Sequence, residues 1–89
     1  MGMEESIEQA LRARLVIEDI EIIDDSRRHA GHAGAASGGG HYIVKVVSAD
    51  FAGKSSVERH RMVYEALGTR MQRDIHALAL TTRAPGEPG

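Results

Sequence analysis

The chain has 89 residues and a mass of 9.6 kDa, which suffices for one domain and is too small for two. It contains no cysteine, which excludes disulfides, thiolate metal ligands from this chain and a cysteine nucleophile. No segment reaches the ~18 consecutive apolar residues of a membrane helix, and the acidic start of the chain lacks a secretory signal's apolar stretch. We therefore expect a cytoplasmic protein.

The formal charge of −2 hides an uneven distribution along the chain. Residues 1–25 carry eight acids and two arginines, whereas residues 54–73 carry five cations and two acids. A dedicated nucleic-acid binder is usually basic throughout, because phosphate contacts supply most of its affinity. This chain offers at most one basic face, between residues 54 and 73.

The first half of the chain predicts a helix, a strand, a loop and a second strand. Apolar residues recur at three- and four-residue steps in the helix, whereas polar and apolar residues alternate in the strands. The loop is rich in Gly, Ala, Ser and His, and the strands that flank it could pair antiparallel. The predicted bounds are 3–15 for the helix, 16–24 for the first strand, 26–40 for the loop and 41–48 for the second strand.

The second half predicts two helices and a third strand. Ser55 and Glu58 have the spacing of a capping box, so the first of these helices should begin at Ser56. Gly68 should end or bend it. The predicted order αββααβ is that of an α+β domain over residues 1–85, with helices packed on a three-stranded sheet. The remaining predicted segments are a short helix over 69–74, a strand over 77–82 and a flexible tail over 86–89.

The helix that follows Ser55 has two distinct faces at helical spacing. We expect one face to be buried, with His60 as a core histidine that donates to a backbone carbonyl. The expected buried face carries Val57, His60, Tyr64 and Leu67, whereas Arg59, Met62 and Ala66 lie on the other.

Three segments of the second half resemble the signature of the BolA-like proteins, in order and at matching spacing. They are 51–55, 59–64 and 75–78, and residues 41–48 match the family's second strand. The resemblance covers roughly residues 5–85 and implies the family's fold, a variant of the type II KH fold with the order αββααβ. The sequence departs from the family at residues 84–87, where many members have Thr-Pro followed by Glu-Trp, and at Gly68, where members usually have a better helix former.

The resemblance implies a non-enzymatic protein, a monomer when alone, that binds a monothiol glutaredoxin. Family members bind the glutaredoxin directly or share a 2Fe–2S cluster with it and glutathione. The positions that match the family's ligands are His76 and a loop histidine, for which His29 aligns best and His32 is the alternative. Neutral imidazole can replace thiolate on one iron of such a cluster, as in Rieske centres, so any thiolate would come from the partner. His41 is interpreted as structural.

The resemblance also implies an alternative function, because some bacterial members are described as transcription regulators that bind DNA through a helix-turn-helix face. The candidate contacts are cations of the basic segment, which could meet either phosphate or the glutaredoxin. The competing interpretation is an ordinary solvated face. The candidates are Lys54, Arg59, Arg61 and Arg70.

No pattern in the sequence indicates an enzyme or an RNA-binding KH domain. The glycines 38–40 lack the Lys-Ser/Thr of a phosphate-binding loop, and Gly53-Lys54-Ser55 lacks the glycine that such a loop has five residues before Gly53. No nucleophile elbow accompanies the histidines. The string 31–34 has the letters of the KH motif GxxG, but it joins two predicted strands, whereas the KH motif joins two helices.

Overall fold

The structure is a computed structural model that describes residues 2–25, 40–73 and 75–88, with His76 described by its backbone alone. Helices and strands follow the order αββααβ, which confirms the predicted α+β fold class. A short 3-10 turn at Ala49–Phe51 follows the second strand. The elements are α1 (Met3–Arg12), β1 (Ile17–Asp24), β2 (Gly40–Ser48), α2 (Ser56–Leu67), α3 (Arg70–Arg73) and β3 (Ile75–Arg83).

The three strands form one sheet in the order β1-β2-β3. β2 is the central strand, and it pairs antiparallel with β1, as predicted, and parallel with β3. β3 begins two residues earlier than predicted, so His76 belongs to the strand. α1 ends three residues earlier than predicted, although the amide of Leu15 still donates to the carbonyl of Leu11 at 2.8 Å.

Within residues 2–25, 40–73 and 75–88, the helices cover one face of the sheet and leave the other exposed. Alternate residues of β2 are buried, as predicted, and Lys45 lies exposed on the opposite face. This alternation follows from the two-residue period of a strand. The buried residues of β2 pack with apolar side chains of the helices and with Phe51 in a single core. The fully buried apolar side chains among the described residues are Ile7, Leu11, Val44, Val46, Phe51, Val63 and Leu67.

The predicted capping box begins α2. The Ser55 hydroxyl accepts from the amide of Glu58 at 3.2 Å, and the Glu58 carboxylate accepts from the amide of Ser55 at 2.9 Å. These two hydrogen bonds hold the pKa of Glu58 below its usual range. Gly68 ends the helix with a φ of 57°, a conformation that glycine adopts without strain.

The prediction for the buried face of α2 is wrong. Val57 is 65% exposed and Tyr64 is 40% exposed, whereas Val63 is fully buried. Leu67 is buried as expected. The helix is rotated so that Arg59, Met62 and Ala66 are half-buried on the packed side. The apolar pattern misled because Arg59 lies on the inward side, where it has internal partners.

A turn follows β3 and returns the chain to the start of α2. Gly86 has a φ of 84°, and the amide of Glu87 donates to the carbonyl of Ala84 at 3.2 Å. The Glu87 carboxylate is bonded to Arg59. The extent of the domain and the flexible tail remain predictions, but the chain is held in place at Glu87.

None of the helices in the described part of the chain has the length and apolar character needed to cross a membrane. The cytoplasmic location remains a prediction.

Candidate functional site

One end of the sheet, where β2 and β3 begin, carries two histidines of the sequence. We call it the histidine end, and define it by Gly40, His41, Ile75 and His76. Gly40 pairs with Ile75 and His41 pairs with Ala77, so the register shifts by one residue and His76 lies between the two pairs. β2 and β3 are parallel, which explains why both strands begin at this end.

β1 finishes at the histidine end, because it is antiparallel to β2. The amide of Asp25 donates to the carbonyl of His41 at 2.7 Å. The covalent connection over residues 26–39 therefore departs from and returns to the histidine end. The predicted ligands His29 and His32 belong to this connection and lie outside the described residues.

His41 is half-buried on the face of the sheet that the helices leave exposed. It lines a shallow cavity of about 240 Å³ with Asp25, Ile43, Ala77 and Ala79. Within the described ranges, no three His, Cys, Asp or Glu side chains lie close enough to hold a metal ion. The described residues alone thus provide no complete metal site, and a cluster would need further ligands.

The predicted contact residue Arg59 is bonded to two internal partners. Its guanidinium donates to both Glu87 carboxylate oxygens, at 2.7 and 2.8 Å, and to the carbonyl of Lys54 at 3.0 Å. The Glu87 carboxylate also accepts from the amide of Ala84 at 2.9 Å. The hydrogen bonds from Arg59, and after them the one from the Ala84 amide, lower the pKa of Glu87 to about 2. The bond with Glu87 raises the pKa of Arg59. Arg59 therefore joins α2 to the turn after β3.

The other three predicted cations differ in their surroundings. Arg70 of α3 is half-buried and donates to the Ser6 hydroxyl of α1 at 2.8 Å. Lys54 is exposed just before α2, and Arg61 is exposed within it. Only Lys54 and Arg61 among the four therefore present their charge freely on the surface, and the contact role of all four remains a prediction.

Comparisons with known proteins decide the family. A family model described as BolA-like protein matches residues 11–87. The chain belongs to the BolA-like protein family. The match includes α2, β3 and the turn that holds Glu87, and it therefore covers most of the chain.

Three relatives are similar to this BolA-like protein over most of its length. A Sinorhizobium protein named for the cobS 5′ region is 40% identical over 90 residues, which cover 99% of this chain and 97% of that protein. The DNA-binding transcriptional regulator BolA of Escherichia coli K12 is 40% identical over 82 residues, 92% of this chain and 75% of the regulator. SufE-like protein 1 of Arabidopsis thaliana is 35% identical over 86 residues, 91% of this chain and 23% of the plant protein.

A solved structure supports the same assignment. The BolA domain of SufE1 from Arabidopsis thaliana superposes with a TM-score of 0.82 at 33% identity, over 99% of each chain. Among the relatives are proteins named as a DNA-binding transcriptional regulator and as BolA-like protein 1.

His60 of this BolA-like protein lies outside the core, so its predicted core role is wrong. It is half-buried, and its ring meets the exposed Tyr64 ring edge-on, with 6.5 Å between centroids and an angle of 81°. With Val57, these side chains form an outward stripe on α2. The sequence shows that these residues share one face of the helix, but their spacing does not show whether that face is buried or exposed.

Proposed function

We propose that this BolA-like protein is a non-enzymatic adaptor that binds a monothiol glutaredoxin and shares a histidine-ligated 2Fe–2S cluster with it. The observation that carries the proposal is the strand register at the histidine end. His76 follows the residue that pairs with Gly40, the point where the connection containing His29 and His32 re-enters the sheet. The segment that contains His29 and His32 is covalently joined at both ends to the end of the sheet that carries His76, which supports the proposal.

The ligand chemistry of the chain fits a shared cluster. The sequence has no cysteine, and the part of the chain that the structure describes has no group of three metal-ligating side chains. A 2Fe–2S cluster accepts two imidazoles on one iron and thiolates on the other. His76 with His29 or His32 would supply the imidazoles, and the glutaredoxin and glutathione would supply the thiolates.

The test is reconstitution with a glutathione-loaded monothiol glutaredoxin, followed by visible circular dichroism. His76→Ala should abolish the histidine-type spectrum, because no other histidine occupies this position of β3. His29→Ala should weaken the spectrum, and combining it with His32→Ala should remove it. Because an iron ligand must be an unprotonated imidazole, the spectrum should also weaken as the pH falls through about 6.5.

His60→Ala is the matched control, since it removes a histidine from the outward stripe of α2, and its spectrum should be unchanged. An unaltered spectrum in His76→Ala would contradict the proposal. An unaltered spectrum in the variant with both His29→Ala and His32→Ala would indicate that His41 is the second ligand.

A second candidate function is DNA-binding regulation, which the name of the Escherichia coli relative favours. Lys54 and Arg61 present their charge on α2, whereas the Arg59 guanidinium is bonded to Glu87. If Lys54 and Arg61 each contact one phosphate, the logarithm of DNA affinity should fall with the logarithm of salt at about −0.9 per contact, which gives a slope near −2. Absence of duplex binding at low salt would exclude this function. Loss of binding in a Lys54→Gln, Arg61→Gln variant would favour it.

A further inference from the structure

The two edges of the sheet differ in charge. β1 forms one edge and carries Glu18, Asp19, Glu21 and Asp24, whereas β3 carries no Asp, Glu, Lys or Arg before Arg83. Among the described residues, no strand pairs with the outer edge of β3. Charged side chains protect sheet edges from added strands, and an uncharged edge lacks that protection. Within the part of the chain that the structure describes, β3 is therefore the edge that is open to a further strand.

A groove lies beside this edge, on the face of the sheet that the helices leave exposed. The β3 groove has a volume of about 430 Å³ and is lined by Lys45, Val47, Thr81 and Arg83. Lys45 pairs with Thr81 and Val47 pairs with Arg83, so the two cations lie diagonally with the Thr81 hydroxyl beside them. The β3 groove thus combines positive charge, a hydroxyl and an apolar floor.

The charges of the β3 groove are available to a ligand. Lys45 Nζ lies 3.9 Å from Glu21 Oε1, and both side chains are more than half exposed, so water screens this pair. No carboxylate of the described residues lies within salt-bridge distance of Arg83. The nearby carboxylate of Glu87 is already bonded to Arg59.

We propose that the outer edge of β3 binds an extended acidic segment of a partner protein. The segment would add a fourth strand to the sheet, with backbone hydrogen bonds to β3 and an acidic side chain facing Lys45 and Arg83. The acids of β1 repel such a segment from the opposite edge. Charge thus selects both the ligand and the edge to which it binds.

This inference goes beyond the shared cluster, because the two sites lie at opposite ends of β3. Thr81 follows His76 by five residues, and at ~3.3 Å per residue the two positions are about 17 Å apart. A peptide at the β3 groove therefore leaves the histidine end free for another partner.

The test measures anisotropy of a fluorescent pentapeptide of alternating Glu and Val, about 17 Å long when extended, at low salt. The wild-type protein should bind it, and should fail to bind the peptide with Lys in place of Glu. Lys45→Gln and Arg83→Gln should each weaken binding by up to about fivefold, the size of an exposed ion pair. Glu21→Gln should tighten binding, since it removes the acid that competes for Lys45. Arg14→Gln, which removes an exposed charge from the end of α1, is the matched control and should leave binding unchanged.

Backbone pairing is tested with an acidic peptide N-methylated at alternate residues and with amide exchange. Only the unmethylated peptide should bind, and it should slow exchange of outward-pointing β3 amides. Equal binding of the Glu and Lys peptides, or unchanged affinity in a Lys45→Gln, Arg83→Gln variant, would overturn the proposal. So would a concentration-dependent dimer in sedimentation that the peptide fails to dissociate, because a second copy would then occupy the edge. The visible dichroism of the glutaredoxin complex should not change on adding peptide.

Discussion

Helix α2 turns an arginine toward the rest of the domain, and a valine and a tyrosine toward solvent. The Arg59 side chain is only 12% exposed, whereas Val57 is 65% exposed. The Arg59 guanidinium can lie in this position because all three of its nitrogens donate hydrogen bonds. One bond goes to the Lys54 carbonyl and two go to the Glu87 carboxylate. A charged group can lie in a packed layer when its donors are satisfied. The inward side of a helix is therefore defined by available partners as well as by apolar residues.

The difference between the two sides of α2 is tested most directly by replacing one valine with alanine on each side. Val63 is fully buried, so Val63→Ala should lower the free energy of unfolding by about 2 kcal/mol through lost burial and the cavity left behind. Val57→Ala should change it by less than about 0.5 kcal/mol, as for other exposed positions. Urea denaturation measures both values. Equal losses would mean that the outward stripe is packed in solution.

Local pattern predicts much of this fold and fails where a distant partner decides. The alternating residues of β2 predict a strand with one buried face, and the spacing of Ser55 and Glu58 predicts the start of a helix. Both signals lie within a few residues of sequence, and both predictions are confirmed. The inward position of Arg59 on α2 is accompanied by its contact with Glu87, which lies 28 residues later in the chain, beyond a helix and a strand. Spacing within the helix contains no information about that contact.

In the candidate site, too, local pattern predicts one part and a long-range pairing determines another. The position of His76 near the junction of α3 and β3 follows from local pattern, and the structure has it as the second residue of β3. The register that brings Gly40 beside Ile75 is a long-range pairing that the sequence does not state. The cluster ligands themselves remain predictions, because His29 and His32 lie outside the described residues.

A smaller effect is expected from the ion pair that holds the inward side of α2. Glu87→Gln should lower the melting temperature at neutral pH, because it removes the charge that Arg59 contacts. The pKa of Glu87 is about 2 in the folded protein and near 4.5 when unfolded. The stabilisation by this carboxylate is thus fully present above about pH 4.5 and is lost as the pH falls through about 2.

The measurement is the melting temperature of wild type and Glu87→Gln between neutral pH and pH 2. The difference between the two proteins should shrink over that acidic window. Glu18→Gln removes an exposed carboxylate from β1 and is the matched control, for which no such convergence is expected. A difference that stays constant down to pH 2 would show that the pair with Arg59 contributes nothing to stability.

The smallest expected effect belongs to His60, whose ring lies beside an exposed tyrosine on the outward stripe. A buried aromatic pair contributes about 0.5–1.5 kcal/mol beyond its burial, but Tyr64 is 40% exposed, so water competes for this contact. His60→Ala should therefore change the free energy of unfolding by less than about 0.5 kcal/mol. A double-mutant cycle with Tyr64→Ala isolates the ring contact, and its coupling energy should be as small. A loss near that of Val63→Ala would place His60 in the core after all, and α2 would then have two packed sides.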